Sequence, residues 1–188
     1  MYQDSASIFQ SELSSSEKLI WSWQPLTGIR FRKQDAGLIP FSLLWGGFAI
    51  FWEWSVFHSS NAPVFFRLWG IPFVLVGLYL IFGRFFVDAK QRAKTFYGLT
   101  NERIIIISGI FSRNVKSLSL KTLSEINLDE KSDGSGTITF GSTYLPTARW
   151  ASGGWPGANR YAPPSFELIE RVKEVYEIIR RAQNESSK

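Results

Sequence analysis

Residues 37–58, GLIPFSLLWGGFAIFWEWSVFH, and residues 62–87, APVFFRLWGIPFVLVGLYLIFGRFFV, are two long apolar runs joined by Ser59, Ser60 and Asn61. A helix crossing a hydrocarbon core about 30 Å thick needs about 20 mostly apolar residues, each rising about 1.5 Å. Both runs are long enough. Each therefore reads as a transmembrane helix, and the rest of the chain must work beside that membrane.

The flanks orient the hairpin. Arg30, Arg32 and Lys33 precede the first run, and Arg84, Lys90, Arg92 and Lys94 close or follow the second. The link between the runs carries no basic residue. An excess of Lys and Arg marks cytoplasmic flanks, so both termini are expected in the cytoplasm of a multi-pass inner-membrane protein. Arg67 sits at the outer end of the second run and can snorkel to the headgroups. Pro40 falls in the first turn of its helix, where a missing N–H costs little, whereas Pro72 should kink the second. Gly46, Gly47, Gly70 and Gly77 could let the helices approach closely.

Glu53 has two readings. An ionisable residue inside a span is a candidate for ion or proton relay. It also lies within 7–8 Å of helix rise, roughly, from His58, between Trp52 and Trp54, where a carboxylate could sit at headgroup level and pair with Arg67 or His58. The second reading is preferred, because one carboxylate makes a poor pathway.

Bulk composition agrees with a membrane protein. The 188 residues include eight Trp and sixteen Phe, and the net charge is +5. Trp and Tyr favour the membrane–water boundary. The positive charge flanks the apolar runs, which favours anionic lipid over nucleic acid as a partner. There is no Cys and one His, His58. Disulfides, thiolate metal sites, Cys nucleophiles, multi-histidine metal sites and Ser–His–Asp triads are excluded. Residues 1–17 are Ser-rich and polar, so no cleavable signal peptide is expected there.

After Lys94 the pattern changes to short strands. Tyr97 to Ser108 contains four consecutive Ile, a strand buried on both faces. Ile110 to Leu120 and Leu123 to Leu128 follow. Asp133 to Gly136 reads as a hairpin turn, and residues 136–141 as a strand with Ile138 and Phe140 inward. Ser165 is read as the N-cap of a C-terminal helix with an apolar stripe of Phe166, Ile169, Val172, Tyr176 and Ile179. Leu19 to Trp23 and Ile29 to Arg32 alternate and suggest a small hairpin ahead of the first span.

Tyr97-Gly98-Leu99-Thr100-Asn101-Glu102-Arg103-Ile104, followed by Gly109, resembles the signature of bacterial pleckstrin-homology-like (PH-like) membrane proteins. Leu123 to Ile126, the Asp133 turn, residues 137–140 and Phe166 to Ile169 continue the resemblance. So do Glu17 to Trp21, Pro25 and residues 28–31. It implies an α+β protein: a two-helix membrane hairpin plus a cytoplasmic antiparallel barrel or half-barrel closed by a C-terminal amphipathic helix. The implied organisation is a polar, flexible segment 1–16, an N-terminal hairpin 17–35, spans 37–58 and 62–87, a PH-like domain 95–182 with its helix at 165–182, and a polar tail 183–188. The resemblance implies no catalytic residues.

Between Ser142 and Ser165 there is no acidic residue, and Arg149, Trp150, Trp155, Arg160 and Tyr161 combine cations with aromatic rings. This loop is expected either to rest on the inner leaflet or a partner protein, or to cover the barrel with its two Trp. No Walker lysine, GxSxG, HExxH or dinucleotide glycine motif occurs. Asp129, Glu130 and Asp133 read as a solvated loop. The function expected is a non-catalytic binding or scaffolding module at the membrane face, without metal or cofactor. Its partners are lipid and another membrane protein or a second copy, and nucleic acid is excluded. The alternative is an oligomeric channel or transporter subunit.

Overall fold

The computed structural model describes residues 2–29, 35–141 and 163–186. They divide into two compact units. The described residues of Met1–Gly28, Ala89–Ala148 and Ala162–Lys188 form one, and those of Ile29–Asp88 belong to the other.

The first unit holds two antiparallel sheets. Strands β1 (Leu19–Trp23), β2 (Phe96–Thr100), β3 (Arg103–Ser108) and β4 (Asn114–Ser119) form one in that order. Strands β5 (Ile126–Glu130), β6 (Gly136–Phe140) and β7 (Ser165–Ile169) form the other. The sheets do not close into a barrel. A 3₁₀ turn at Leu120–Thr122 carries the chain from one to the other. The core between them contains Trp21, Tyr97, Leu99, Ile104, Ile106, Ile138, Phe140 and Phe166. The Ile run is buried on both faces, as its composition predicts. Ile104 and Ile106 face this core, while Ile105 and Ile107 meet a second cluster under Phe9.

Four elements differ from the sequence reading. Helix α1 (Tyr2–Phe9) stands in the segment expected to be flexible, and Phe9 is 0% exposed. A Cβ at Gly98 would lie 2.7–3.0 Å from the Phe9 ring, so the glycine makes room for it. Residues 97–108 form two strands because Thr100 to Arg103 turns. Ser165 is not an N-cap: Ser165–Ile169 pairs with β6, and the C-terminal helix begins at Val172. Phe166, Ile169 and Val172 fit a helical stripe, but Phe166 and Leu168 also fit strand alternation, and pairing decides between them. That helix, called α5 below (Val172–Ser186), buries Val172, Val175, Ile179 and Ala182. Each fully buried Val or Ile contributes about 1.5–3 kcal/mol. No second N-terminal strand pairs with β1 among the described residues; β1 pairs with β2 instead.

The second unit is a helical hairpin. Helix α2 (Asp35–His58) is followed by α3 (Val64–Leu78), a π-helical turn (Tyr79–Gly83) and α4 (Arg84–Ala93). Both Asp35–His58 and the continuous run Val64–Ala93 are long and apolar enough to cross a membrane. The helices meet at glycines. A Cβ at Gly77 would lie 2.8 Å from Gly46 Cα. Gly47 faces open space and plays no part in this contact.

Candidate functional site

The signature around Tyr97 builds structure rather than a ligand site. The Thr100 hydroxyl donates to Glu17 Oε1 at 2.7 Å and accepts the Glu102 and Arg103 N–H groups at 3.2 and 2.9 Å. These bonds make the β2–β3 turn. The Arg103 guanidinium grips Glu17 with both arms, Nε to Oε1 and Nη2 to Oε2, each at 2.8 Å. Nη2 also donates to the Glu12 carbonyl at 2.7 Å. The Ser14 N–H gives Glu17 Oε2 a further bond at 3.1 Å. The Arg103 hydrogen bond, aided by Thr100 and Ser14 against the opposing effect of burial, brings the Glu17 carboxyl down to a pKa of about 2. The same bond raises that of Arg103. Tyr97 stacks on Phe166 at 4.6 Å, and its hydroxyl accepts the Glu167 N–H at 3.0 Å. The signature thus ties β2 and β3 to the N-terminal segment on one side and to β7 on the other.

The basic residues expected beside a membrane divide into two kinds. Arg84 is buried, 3.4 Å from Asp35 and stacked over Phe85. Arg92 is buried, and its Nη2 donates to the Gly28 carbonyl at 2.7 Å. Both hold backbone ends together. Lys90 and Lys94 are exposed, and Lys94 Nζ donates to the Ile110 carbonyl at 3.1 Å. Arg30, Arg32, Lys33, Arg149, Trp150, Trp155, Arg160 and Tyr161 lie outside the described residues.

Glu53 is buried against Gly70, in a notch that a Cβ would fill. Neither carboxyl oxygen meets a hydrogen-bond partner, and the Arg67 Nε is likewise unmet. Arg67 Nη2 donates instead to the Ser59 carbonyl at 3.0 Å, and His58 Nδ1 lies 2.8 Å from the Trp54 carbonyl. The structure therefore does not bring Glu53 into the expected pairing with Arg67 or His58. Asp129 and Glu130 belong to β5. Asp133 bonds to the hydroxyl and N–H of Ser135, which lower its pKa. No cluster of metal-ligating side chains occurs among the described residues.

Glu17 escapes a search for chemistry because its side-chain partners, Thr100 and Arg103, lie more than 80 residues away. The turn after Gly109 escapes it because nothing in its composition is charged before Arg113.

Residues 43–183 match the bacterial PH domain family. The match covers most of the chain, and the chain belongs to this family. It takes in α2 from Leu43 onward, the second apolar helix and strands β2 to β7, but not β1. No curated relative and no solved structure matches the chain.

Proposed function

We propose that this member of the bacterial PH domain family is a membrane-anchored, non-catalytic binding or scaffolding module. PH domains are generally binding modules, which supports the non-catalytic reading. The observation that carries membrane anchoring is the surface of the helical hairpin. Only 17% and 11% of the two most apolar stretches is buried. A core helix of a soluble domain would be mostly covered, whereas these helices expose Leu44, Phe48, Phe51, Phe65, Leu68 and Leu75 on many sides. Such a surface matches hydrocarbon, where every backbone polar group must be satisfied within the helix.

In this reading both termini are cytoplasmic, and Arg149, Trp150, Trp155, Arg160 and Tyr161 contact anionic headgroups or a membrane partner. Arginine supplies charge, and the aromatic residues suit the interface. The cysteine-free sequence allows a direct test. A single cysteine at Ser60 should react with a membrane-impermeant maleimide added outside intact cells, and one at Ser186 only after lysis. Labelling of Ser186→Cys from outside overturns the orientation. Release of the chain by alkaline carbonate overturns membrane insertion. Replacing the five loop residues together should remove enrichment of anionic lipid in the detergent-purified chain; unchanged enrichment overturns their lipid role.

A further inference from the structure

Phe111 is 100% exposed, at the tip of the turn between β3 and β4. Lone exposed apolar residues are ordinary on protein surfaces. This one differs in how it is held. Gly109 has φ +139°, and a Cβ there would strike the Ser112 carbonyl, so the turn folds tightly on itself. Lys94 Nζ holds the Ile110 carbonyl at 3.1 Å on one side. Arg113 Nη2 holds Glu12 Oε1 at 3.0 Å and the Ile8 carbonyl at 3.3 Å on the other. A stiff tip thus carries a bare aromatic ring between Lys94 and the Arg113–Glu12 ion pair.

Sheet register places this tip. Trp23 pairs with Tyr97, Phe96 with Ile107, and Ser108 with Asn114. The end of β1 where the chain leaves for the helical hairpin, the start of β2 where it returns, and the β3–β4 turn therefore share one end of the sheet. Lys94 is also the residue immediately after the second long helix. The tip lies on the side from which both membrane connections emerge.

We propose that the Ile110–Phe111 tip, with Lys94 and Arg113, engages the headgroup layer of the bilayer that holds the hairpin, preferring anionic phospholipid. The inference rests on the membrane reading above and extends it to residues outside the aromatic loop. The ring suits the interface, and Lys94 supplies a cation that an anionic surface attracts. Lys94 keeps two N–H donors beyond its bond to Ile110. The 30 residues of Val64–Ala93 reach about 45 Å, against about 30 Å for the hydrocarbon core. Val64–Ala93 is therefore long enough to carry the chain past the hydrocarbon and into the headgroup layer before Lys94.

The test uses the full chain in nanodiscs of phosphatidylcholine and phosphatidylglycerol. An environment-sensitive dye is placed on a single cysteine at Ser112, with Phe111 retained. Parallel labels go on Ser132, in the β5–β6 turn, and on Phe48, on the α2 surface. Headgroup-attached nitroxide should quench the Ser112 label several-fold more than the Ser132 label, and Phe111→Ser should remove the difference. Equal quenching at Ser112 and Ser132, with the Phe48 label quenched by chain-attached nitroxide, overturns the tip contact and leaves the membrane reading standing. A Phe48 label that no lipid nitroxide quenches overturns both. A Ser112 label shielded from aqueous iodide but untouched by headgroup nitroxide means that protein covers the tip, and overturns the lipid assignment.

Discussion

Glu17→Gln keeps the size of the side chain and removes the charge that Arg103 and Thr100 enclose. On folding, the Glu17 carboxyl moves from an ordinary 4.5 to about 2. At about 1.4 kcal/mol per pH unit, the charged form contributes about 3 kcal/mol to stability. A depressed carboxyl stabilises the fold fully above its unfolded pKa and loses that contribution as pH falls toward the folded one. The window is therefore pH 4.5 down to about 2. Thermal unfolding in detergent, followed by the Trp fluorescence that includes Trp21 and Trp23, should show the variant melting roughly 10 °C lower at pH 7 for a unit of this size. The gap should shrink as pH falls below 4.5 and close only below about pH 2, where the native carboxyl is itself protonated. Hydrogen exchange at Ile104–Ile107 gives the same comparison locally. A gap under about 0.5 kcal/mol at neutral pH, or one that stays constant through the acid range, refutes the reasoning. A double cycle with Arg103→Met assigns the energy to the pair.

Other perturbations act at separate places. Gly98→Ala should cost about 1–3 kcal/mol by overpacking against Phe9, and Phe9→Leu should recover part of it in the same melt. Tyr97→Phe removes the hydroxyl that accepts the Glu167 N–H and should cost about 1–2 kcal/mol with unchanged secondary structure by circular dichroism. Gly70→Ala should loosen the helical hairpin by displacing Glu53, and Glu53→Ala in that background should restore thermal resistance to aggregation in detergent. Arg84→Met alone should weaken the chain by about 3–5 kcal/mol by leaving Asp35 without that cation, whereas Arg84→Met with Asp35→Leu should be close to neutral in denaturant titrations.

Periodicity exposed the hairpin and most strands, because composition writes both directly. The four-Ile run, the Asp133 turn and the residues of β6 are local signals. The start of the C-terminal helix was not legible, since Phe166 and Leu168 satisfy a strand and Phe166, Ile169 and Val172 a helix. Pairing with β6, through Thr139 with Ser165, Ile138 with Phe166 and Gly136 with Ile169, separates them. Helix α1 was hidden for a similar reason: most of its residues look polar, and its hold comes from distant residues, with Phe9 filling the space at Gly98 and Arg113 bonding the Ile8 carbonyl. Arg84 and Arg92 carry the same lesson at the candidate site. A basic flank reads as membrane-facing, yet burial and specific partners turn these two into internal ties.

The placement of the helical hairpin between β1 and β2 follows from these ties. Closing a flexible connection of roughly 70 residues between Trp23 and Tyr97 costs about 4 kcal/mol in loop entropy plus a constant. A helical hairpin removes most of that cost, because it returns its two ends to one place. The Arg84–Asp35 pair joins those ends within the hairpin, and Arg92 bonds Gly28 where the chain enters and leaves the sheet unit. Gln24 adds a bond from its side-chain N–H to the Ala93 carbonyl at 2.7 Å. The sheet therefore sees a short closure instead of a long loop. That explains how β1, which lies outside the matched family stretch, still finds its place at the edge of β2.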